Sequence, residues 1–279
     1  MDRRGPLCVG IDPHPGLLAA WGLTDDAAGL ERFSLTVLEA VGEQAAALKP
    51  QVALFERHGS AGMAVLERLL AACREASVLS IADAKRGDIG STMEAYADAW
   101  LRNGSPLAAD AVTLSPYLGY ESLRPALDLA AATGRGVFVL ALTSNPEGAS
   151  VQHVGGRESV AGSVVAAAGR ENAAERAGNP GPAAASTSWL GSTGLVVGAT
   201  TGAALRELDI DLVSSSAPLL APGLGAQGAA GADLARTLGP AFGQVLASSS
   251  RDILQAGPDR GALSRATART LAGIPSPLG

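Results

Sequence analysis

Asp83-Ala-Lys-Arg-Gly-Asp88-Ile-Gly-Ser-Thr92 is the stretch that decides the fold, and it directly follows the apolar run Val78-Leu-Ser-Ile-Ala82. If the apolar run is a strand, Asp83 and Lys85 share one face, because strand side chains alternate. Asp88 then lies beyond the strand end, in a loop. Charges gathered away from bulk water need partners, and such clusters concentrate where pKa values are tuned for chemistry. The stretch predicts a reactive cluster at the carboxyl end of a strand, with a surface salt-bridge patch as the alternative.

Short apolar runs alternate with longer Ala/Leu-rich amphipathic stretches along the rest of the chain. Strands are predicted near Leu7–Asp12, Ala47–Ala53, Ser77–Asp83, Ala111–Ser115, Gly136–Thr143, Gly194–Ala199, Ala217–Ala221 and Gly243–Ser248. Helices are predicted near Ala27–Ala46, Gly62–Glu75, Thr92–Arg102, Tyr120–Ala132, Arg157–Arg176 and Pro258–Ala272. Alternation of this kind predicts a parallel sheet, and eight strands predict an α/β fold of the (β/α)₈ type, a TIM barrel, forming a single domain over residues 1–279.

Two segments depart from this rhythm. Residues 151–193 form an insertion between the fifth and sixth strands, and it ends in a run rich in Gly, Pro, Ala and Ser that is typical of a flexible excursion. The tail 273–279 is expected to fray.

Composition narrows the class of protein. The chain has 279 residues, of which 47% are hydrophobic and 17% charged, with a net charge of −6. The absence of a basic tract argues against nucleic acid or an anionic membrane as a partner. Cys8 and Cys73 are too few for a disulfide framework, and no signal peptide is visible after Met1. These features predict a cytoplasmic protein with reduced cysteines.

Polar groups stand where the predicted strands end, which in such a barrel is where reacting groups sit. Because all of these ends meet at one mouth, their side chains are expected to converge. The candidates are Asp12, Lys49, Asp83, Lys85, Asp88, the run Thr143-Ser144-Asn145, the loop Pro222–Gly228 and Arg251.

The loops after the seventh and eighth strands form the usual phosphate site of this architecture. Glycines such as Gly225 let backbone N–H groups approach an anion, Gln227 donates from its amide, and Arg251 adds charge and a two-pronged donor. The same loop matches G-x-G-x-x-G, so dinucleotide binding is an alternative. It is disfavoured because the motif lies near the end of the chain, with no room for a second nucleotide-binding half.

Other residues have simpler interpretations. Ser91-Thr-Met-Glu94 fits a capping box, which predicts that Ser91 caps a helix. The histidines lack ligand spacing, so no zinc site is predicted, and no G-x-S-x-G motif supports hydrolase chemistry. Glu56 and Arg57 are compatible with an ion pair at the barrel rim, and their role stays open.

The motifs together resemble those of the orotidine 5′-phosphate decarboxylase family. The resemblance is carried by Asp83–Thr92, by Leu48-Lys49-Pro-Gln51 before it and by Gly225-Ala-Gln227-Gly228 after it, in the same order and spacing over nearly the whole chain. The insertion and the stretch Lys49–Glu56 are similar to the longer bacterial branch of the family.

The resemblance implies a role for each matching residue. Lys49, Asp83, Lys85 and Asp88 would form an alternating charged array, with Asp88 supplied by the neighbouring subunit of a homodimer. Lys85 would protonate carbon 6 of the pyrimidine as carbon dioxide leaves, and Asp83 would lie beside the substrate carboxylate. The matching substrate contacts are Asp12 and Thr92 for the ribose, Ser144 for the pyrimidine, and Gly225, Gln227 and Arg251 for the phosphate. No metal or organic cofactor is implied.

Three alternatives to this function remain open. A metal-dependent sugar-phosphate synthase or decarboxylase would share the third strand, but it would carry an acidic ligand on the second strand in place of Lys49. A Schiff-base aldolase needs a neutral lysine, whereas two flanking carboxylates favour a protonated Lys85. A non-catalytic nucleotide-binding scaffold would have no use for the complete charged array.

Overall fold

Eight parallel strands close into a barrel in the order of the sequence, each paired with the next and β8 with β1. The structure is a computed structural model that describes residues 1, 3–178, 190–225 and 231–275. The strands are β1 (Leu7–Ile11), β2 (Ala47–Pro50), β3 (Leu79–Arg86), β4 (Ala111–Leu114), β5 (Gly136–Leu142), β6 (Thr193–Val197), β7 (Leu219–Pro222) and β8 (Val245–Ser249). The predicted (β/α)₈ barrel is therefore confirmed.

Helices follow the strands and cover the outside of the barrel. Within the described residues they are α1 (Pro15–Ala20), α2 (Ala27–Val41), α3 (Ala53–Glu56), α4 (Gly59–Glu75), α5 (Gly90–Leu101), α6 (Arg124–Thr133), α7 (Ala149–Gln152), α8 (Val160–Gly178), α9 (Gly202–Glu207), α10 (Gly231–Leu238), α11 (Arg251–Leu254) and α12 (Arg260–Ala272). Each predicted helix matches one of these to within a few residues. Tertiary packing, rather than propensity alone, sets where such helices end.

Strand alternation divides the core into two parts. On β1, Leu7, Val9 and Ile11 join the large apolar layer between barrel and helices. Cys8 points into the barrel, where it belongs to a smaller apolar cluster. Phe138 dominates that inner cluster, and Gly194 on the adjacent strand leaves room for its ring, since a Cβ there would lie 2.5 Å from the ring. The interior is thus a packed core that carries the polar side chains above it.

The predicted insertion, 151–193, includes helix α8, which packs against β5 and β6 and so covers the barrel between these strands. Asn172 of α8 donates to the carbonyls of Thr193 and Ser215, at 2.9 and 3.0 Å. The Gly/Pro/Ala/Ser run at 179–189 lies outside the described residues. Ile274, within the predicted tail, is buried in the core, whereas residues 276–279 are outside the described part of the chain.

Both cysteines are free thiols and are buried. Within the described residues, none of the helices combines the length and apolar character that a membrane span needs.

Candidate active site

The first three strands position a charged cluster at the carboxyl end of the barrel. Lys49 on β2 is paired in register with Gly10 on β1. A side chain is excluded at Gly10, because its Cβ would lie 2.8 Å from Ser250 Cβ. Lys49 Nζ lies 2.8 Å from Asp83 Oδ2, and Lys85 Nζ lies 2.6 Å from Asp83 Oδ1. The side chains of Lys49 and Asp83 are only 9% and 12% exposed, whereas that of Lys85 is 44% exposed. One carboxylate therefore bridges a buried lysine and a lysine that faces the mouth.

The charges within this cluster keep one another ionised. Burial alone would raise the pKa of Asp83, but attraction to Lys49 and Lys85 lowers it to about 2. Burial alone would lower the pKa of Lys49, but attraction to Asp83 and Asp12 outweighs it and raises that pKa. Lys49 and Asp83 are therefore both charged throughout the physiological range.

Lys85 stands on an irregular part of its strand. While β3 advances from Ala82 to Arg86, the neighbouring strand advances only from Val112 to Leu114. Lys85 lies in this bulge with a φ of +50°, a left-handed conformation that is uncommon for a residue with a side chain. The bulge thus aims Lys85 in a direction that a regular strand would not give it, and strained backbones of this kind cluster at functional sites.

Two polar residues that sequence reasoning did not select complete the surroundings of Asp83. Thr113 on β4 donates to Asp83 Oδ1 at 3.0 Å. Gln51, which follows β2 and forms a bridge with Asp83, places its side-chain amide 2.8 Å from Asp83 Oδ2. Because a carboxylate only accepts, we assign the amide nitrogen to this contact. The sequence does carry a signal for Gln51, because it stands two residues after Lys49 and so shares its face. The position of Thr113 depends on the pairing of β3 with β4, which no local pattern reveals.

Asp88 and Thr92 lie beyond β3, on the loop and the start of α5. Asp88 Oδ1 accepts from the N–H of Ile89 at 2.8 Å, and among the described residues Asp88 forms no ion pair with Lys49 or Lys85. Thr92 is exposed, and the side chain of Ile89 is 62% exposed beside it. The structure of one chain thus leaves both residues beyond the charged cluster, with Asp88 half-buried and Thr92 exposed.

The predicted cap at Ser91 is wrong. Helix α5 begins at Gly90, after Ile89, so Ser91 already lies in its first turn. The chain turns earlier than the capping-box pattern implies, because Ile89 is extended and Gly90 adopts a φ of +53°.

The open question of Glu56 and Arg57 has a structural answer. Glu56 pairs with Arg86, and the guanidinium of Arg86 also lies over the rings of Tyr96 and Trp100, at 5.6 and 5.8 Å from their centres. Arg57 pairs instead with Asp25, at 2.7 Å. Arg86 therefore connects the end of β3 to Glu56 on α3 and to the two aromatic rings on α5. These contacts hold the end of the strand that carries Asp83 and Lys85.

The remaining predicted contacts lie around the same mouth. Asp12, after β1, accepts a hydrogen bond from the Ser250 hydroxyl at 2.5 Å. Its negative charge contributes to raising the pKa of Lys49. Arg251, the first residue of α11, is exposed, as is Ser144 after β5. Gly225 has a φ of +81°, and a Cβ there would lie only 1.8 Å from Asp252 Oδ2. A side chain is therefore excluded at Gly225, where the loop after β7 passes close to α11.

Gln227, predicted to contact phosphate, lies outside the described residues, as does Gly228. Among the residues that are described, no group of three His, Cys, Asp or Glu side chains is arranged to hold a metal ion. The donor set at the mouth, in which a buried lysine occupies β2, does not fit a metal site either.

Comparison with known proteins places this site in a family context. Residues 5–266 match the model of the orotidine 5′-phosphate decarboxylase / HUMPS family. The chain is 55% identical over 271 residues to the orotidine 5′-phosphate decarboxylase of Streptomyces coelicolor, covering 96% of this chain and 92% of that relative. It is 56% identical over 273 residues to the enzyme of the same name from Salinispora arenicola, covering 97% of this chain and 92% of that relative.

Comparison with solved structures leads to the same family. A crystal structure from Streptomyces avermitilis, assigned to orotidine 5′-phosphate decarboxylase, superposes with a TM-score of 0.89 at 56% identity and covers 98% of this chain and 91% of that one. The OMP decarboxylase of Leishmania donovani superposes with a TM-score of 0.72 at 30% identity, covering 96% and 94% of the two chains. With a family match over most of its length and relatives of this identity, the chain belongs to the orotidine 5′-phosphate decarboxylase / HUMPS family.

Proposed function

We propose that this protein decarboxylates orotidine 5′-phosphate to uridine 5′-phosphate, the last step in making that pyrimidine nucleotide. The observation that carries the proposal is the Lys49–Asp83–Lys85 cluster, in which one ionised carboxylate holds a buried lysine and a mouth-facing lysine at 2.8 and 2.6 Å. The relatives that share more than half of their residues with this chain carry the name of this activity.

The cluster suits the chemistry of the reaction. The bond between carbon 6 and the carboxylate breaks, carbon dioxide leaves, and the electron pair stays on carbon 6. Lys85 supplies a proton to that carbon and later regains one from solvent, which balances the reaction. A fixed ammonium group beside the developing carbanion stabilises charge that exists only late in the reaction. Asp83 holds Lys85 at 2.6 Å and adds negative charge near the carboxylate that leaves.

Lys49 has a different part. It is buried behind Asp83, so it does not reach the mouth as Lys85 does. Its charge offsets the cost of keeping the Asp83 carboxylate ionised in a nearly dry position. We therefore assign the proton transfer to Lys85 and the electrostatic support of Asp83 to Lys49.

The other candidates are proposed to bind the substrate. Asp12 accepts a hydrogen bond from a ribose hydroxyl, and Ser144 forms a hydrogen bond with the pyrimidine. Arg251 pairs with the phosphate, next to the loop that contains Gly225 and Gln227. Arg251 is supported by its position after β8, where barrels of this type bind phosphate. The phosphate is remote from the breaking bond, so its binding free energy is available to order the surrounding loops.

The working unit is proposed to be a homodimer with shared active sites, in the cytoplasm. Asp88 and Thr92 then complete the site of the neighbouring subunit. This accords with the exposure of Thr92 and of Ile89, which lies between the two residues in the sequence. An exposed apolar side chain next to two polar groups of the site suits a contact between subunits.

A metal-dependent sugar-phosphate enzyme of the same family is the second candidate. It is disfavoured because Lys49 occupies the strand position where such enzymes carry an acidic ligand, and because Lys49 is bonded to Asp83. No group among the described residues offers a substitute ligand set.

The test follows the loss of orotidine 5′-phosphate absorbance on addition of the purified protein. Turnover that yields uridine 5′-phosphate and carbon dioxide supports the proposal. Absence of turnover by the folded protein, with or without magnesium, contradicts it. Orotidine without its phosphate serves as the control substrate, and much slower turnover of it is expected.

A further inference from the structure

A single buried hydroxyl connects the two residues on which the proposed chemistry depends. Thr113 lies in the middle of β4 with 1% of its surface exposed. Its Oγ1 accepts a hydrogen bond from the backbone N–H of Lys85 at 2.9 Å. The same oxygen donates to Asp83 Oδ1 at 3.0 Å.

The direction of these two bonds is fixed by chemistry. A backbone N–H only donates, so the hydroxyl must accept from Lys85. The carboxylate of Asp83 is ionised, with a pKa lowered to about 2 by its lysine partners after the opposing effect of burial, so it only accepts. The one hydroxyl proton of Thr113 therefore points to Asp83. The hydroxyl thus accepts from one neighbour and donates to the other.

Thr113 stands opposite the bulge of β3. The register of β3 and β4 shifts between Ala82 and Arg86, and Thr113 is the residue of β4 that lies beside this shift. A regular ladder bond is not available to the N–H of Lys85 there, because the extra residues interrupt the pairing. The hydroxyl takes the place of a backbone acceptor, which allows Lys85 to keep its φ of +50°.

Asp83 gains a fixed orientation from the same contact. Its Oδ1 accepts from Thr113 and from Lys85 Nζ, while its Oδ2 accepts from Lys49 Nζ. Without the hydroxyl, Oδ1 would have only the half-exposed Lys85 as its side-chain donor. The carboxylate would then be less restrained in the orientation that faces Lys85.

We propose that Thr113 is a positioning residue for proton transfer, holding the backbone of Lys85 and the carboxylate of Asp83 in their reactive arrangement. The inference rests on the proposed function. Thr113 acts through these two residues, so it is expected to influence the chemical step and not the binding of the nucleotide, whose ribose and phosphate contacts lie on other strands.

The experiment compares substitutions that separate the hydroxyl from the shape of the side chain. Thr113→Val keeps the shape and removes the oxygen, Thr113→Ser keeps the oxygen, and Thr113→Ala differs from the serine variant only in that oxygen. Thr193→Val is the matched control, since Thr193 is a buried strand threonine on β6, away from the cluster. Steady-state kinetics on orotidine 5′-phosphate and the affinity for uridine 5′-phosphate are measured for each variant.

We expect kcat of Thr113→Val and Thr113→Ala to fall at least about tenfold, because a buried N–H and a carboxylate each lose a partner. The dissociation constant for uridine 5′-phosphate should change by less than about threefold. Thr113→Ser and Thr193→Val should keep kcat near that of the unmodified protein. If Thr113→Val does not fold, the serine and alanine pair still decides the question.

Two results would overturn the inference. One is a kcat that is the same for Thr113→Ser and Thr113→Ala. The other is a crystal structure of a hydroxyl-free variant in which Lys85 keeps its positive φ and Asp83 its distance to Lys85 Nζ. This structural comparison does not use turnover, so it tests Thr113 even if the unmodified protein does not decarboxylate the nucleotide.

Discussion

Replacing Lys49 by methionine tests whether the buried ion pair works as described. Methionine is linear and of similar length, so it fills the space while removing the charge. Lys49 Nζ lies 2.8 Å from Asp83 Oδ2, and at an effective dielectric constant of about 20 two unit charges at that distance attract by about 6 kcal/mol. Removal of the lysine also removes the cost of burying its ammonium group. The net loss in unfolding free energy is expected to be about 3–5 kcal/mol, as for other buried pairs broken on one side.

The loss should depend on pH in a defined direction. In the unmodified protein the pKa of Asp83 is lowered from 3.8 to about 2, so its contribution to stability is full above pH 3.8 and disappears as the pH falls through 2. In Lys49→Met the effect of burial is opposed only by the half-exposed Lys85, and the pKa of Asp83 is expected to rise above 3.8. A carboxyl with a raised pKa makes the folded state less stable as the pH rises through that pKa. The difference between variant and parent should therefore be largest at pH 7–8 and smaller near pH 4.

Urea unfolding at pH 4 and pH 8 measures these differences, and adding Asp83→Asn should recover part of the loss because no buried charge is then left unpaired. The matched control is Arg157→Met, which breaks an exposed pair with Asp209 whose side chains are 80% and 65% exposed. It should leave the unfolding free energy nearly unchanged. A Lys49→Met variant that behaves like this control, or whose loss is the same at both pH values, would refute the reasoning.

Three further outcomes are expected for the activity. Lys85→Ala should abolish turnover while its circular dichroism matches the parent, and near-normal turnover would remove Lys85 from the role of acid. A mixture of inactive Asp88→Ala and Lys85→Ala proteins should regain activity on subunit exchange, because each heterodimer contains one site without either substitution. If activity does not return although exchange is demonstrated, Asp88 belongs to the site of its own subunit. Arg251→Ala should lower kcat/KM by at least about tenfold to a hundredfold, the equivalent of about 1.5–3 kcal/mol at 1.4 kcal/mol per decade, and guanidinium ion should restore part of it; a normal kcat/KM would move the phosphate site elsewhere.

The sequence predicted those parts of the protein that follow from local periodicity. Period two predicted that Asp83 and Lys85 lie together, and they do, although a bulge at Lys85 and not regular alternation brings them into contact. The rule that reacting groups stand at strand ends brought Lys49 and Asp12 to the same mouth. These predictions needed no knowledge of how the strands pair. Strand ends moved by up to three residues, as for β3, which extends to Arg86 because the bulge continues the pairing past Asp83.

What could not be predicted depends on contacts between distant segments. Thr113 reaches Asp83 only because β4 pairs with β3 in one register, with a shift that no local pattern shows. Glu56 meets Arg86 through the packing of α3 beside the end of β3. Ser91 was misassigned because the pattern of a capping box ignores the backbone of Ile89 and Gly90, which starts the helix earlier.

The left-handed backbone of Lys85 has a consequence for how this protein tolerates change. A φ of +50° is strained for lysine, at a cost on the order of 1–3 kcal/mol, but is open to glycine. Lys85→Gly should thus fold more stably than Lys85→Ala while being equally inactive. Among inactive substitutions at this position, a screen for thermal stability would therefore favour glycine over alanine. The parent keeps a lysine on this strained backbone and gains the ion pair with Asp83 at 2.6 Å, so stabilising substitutions are better placed at other positions.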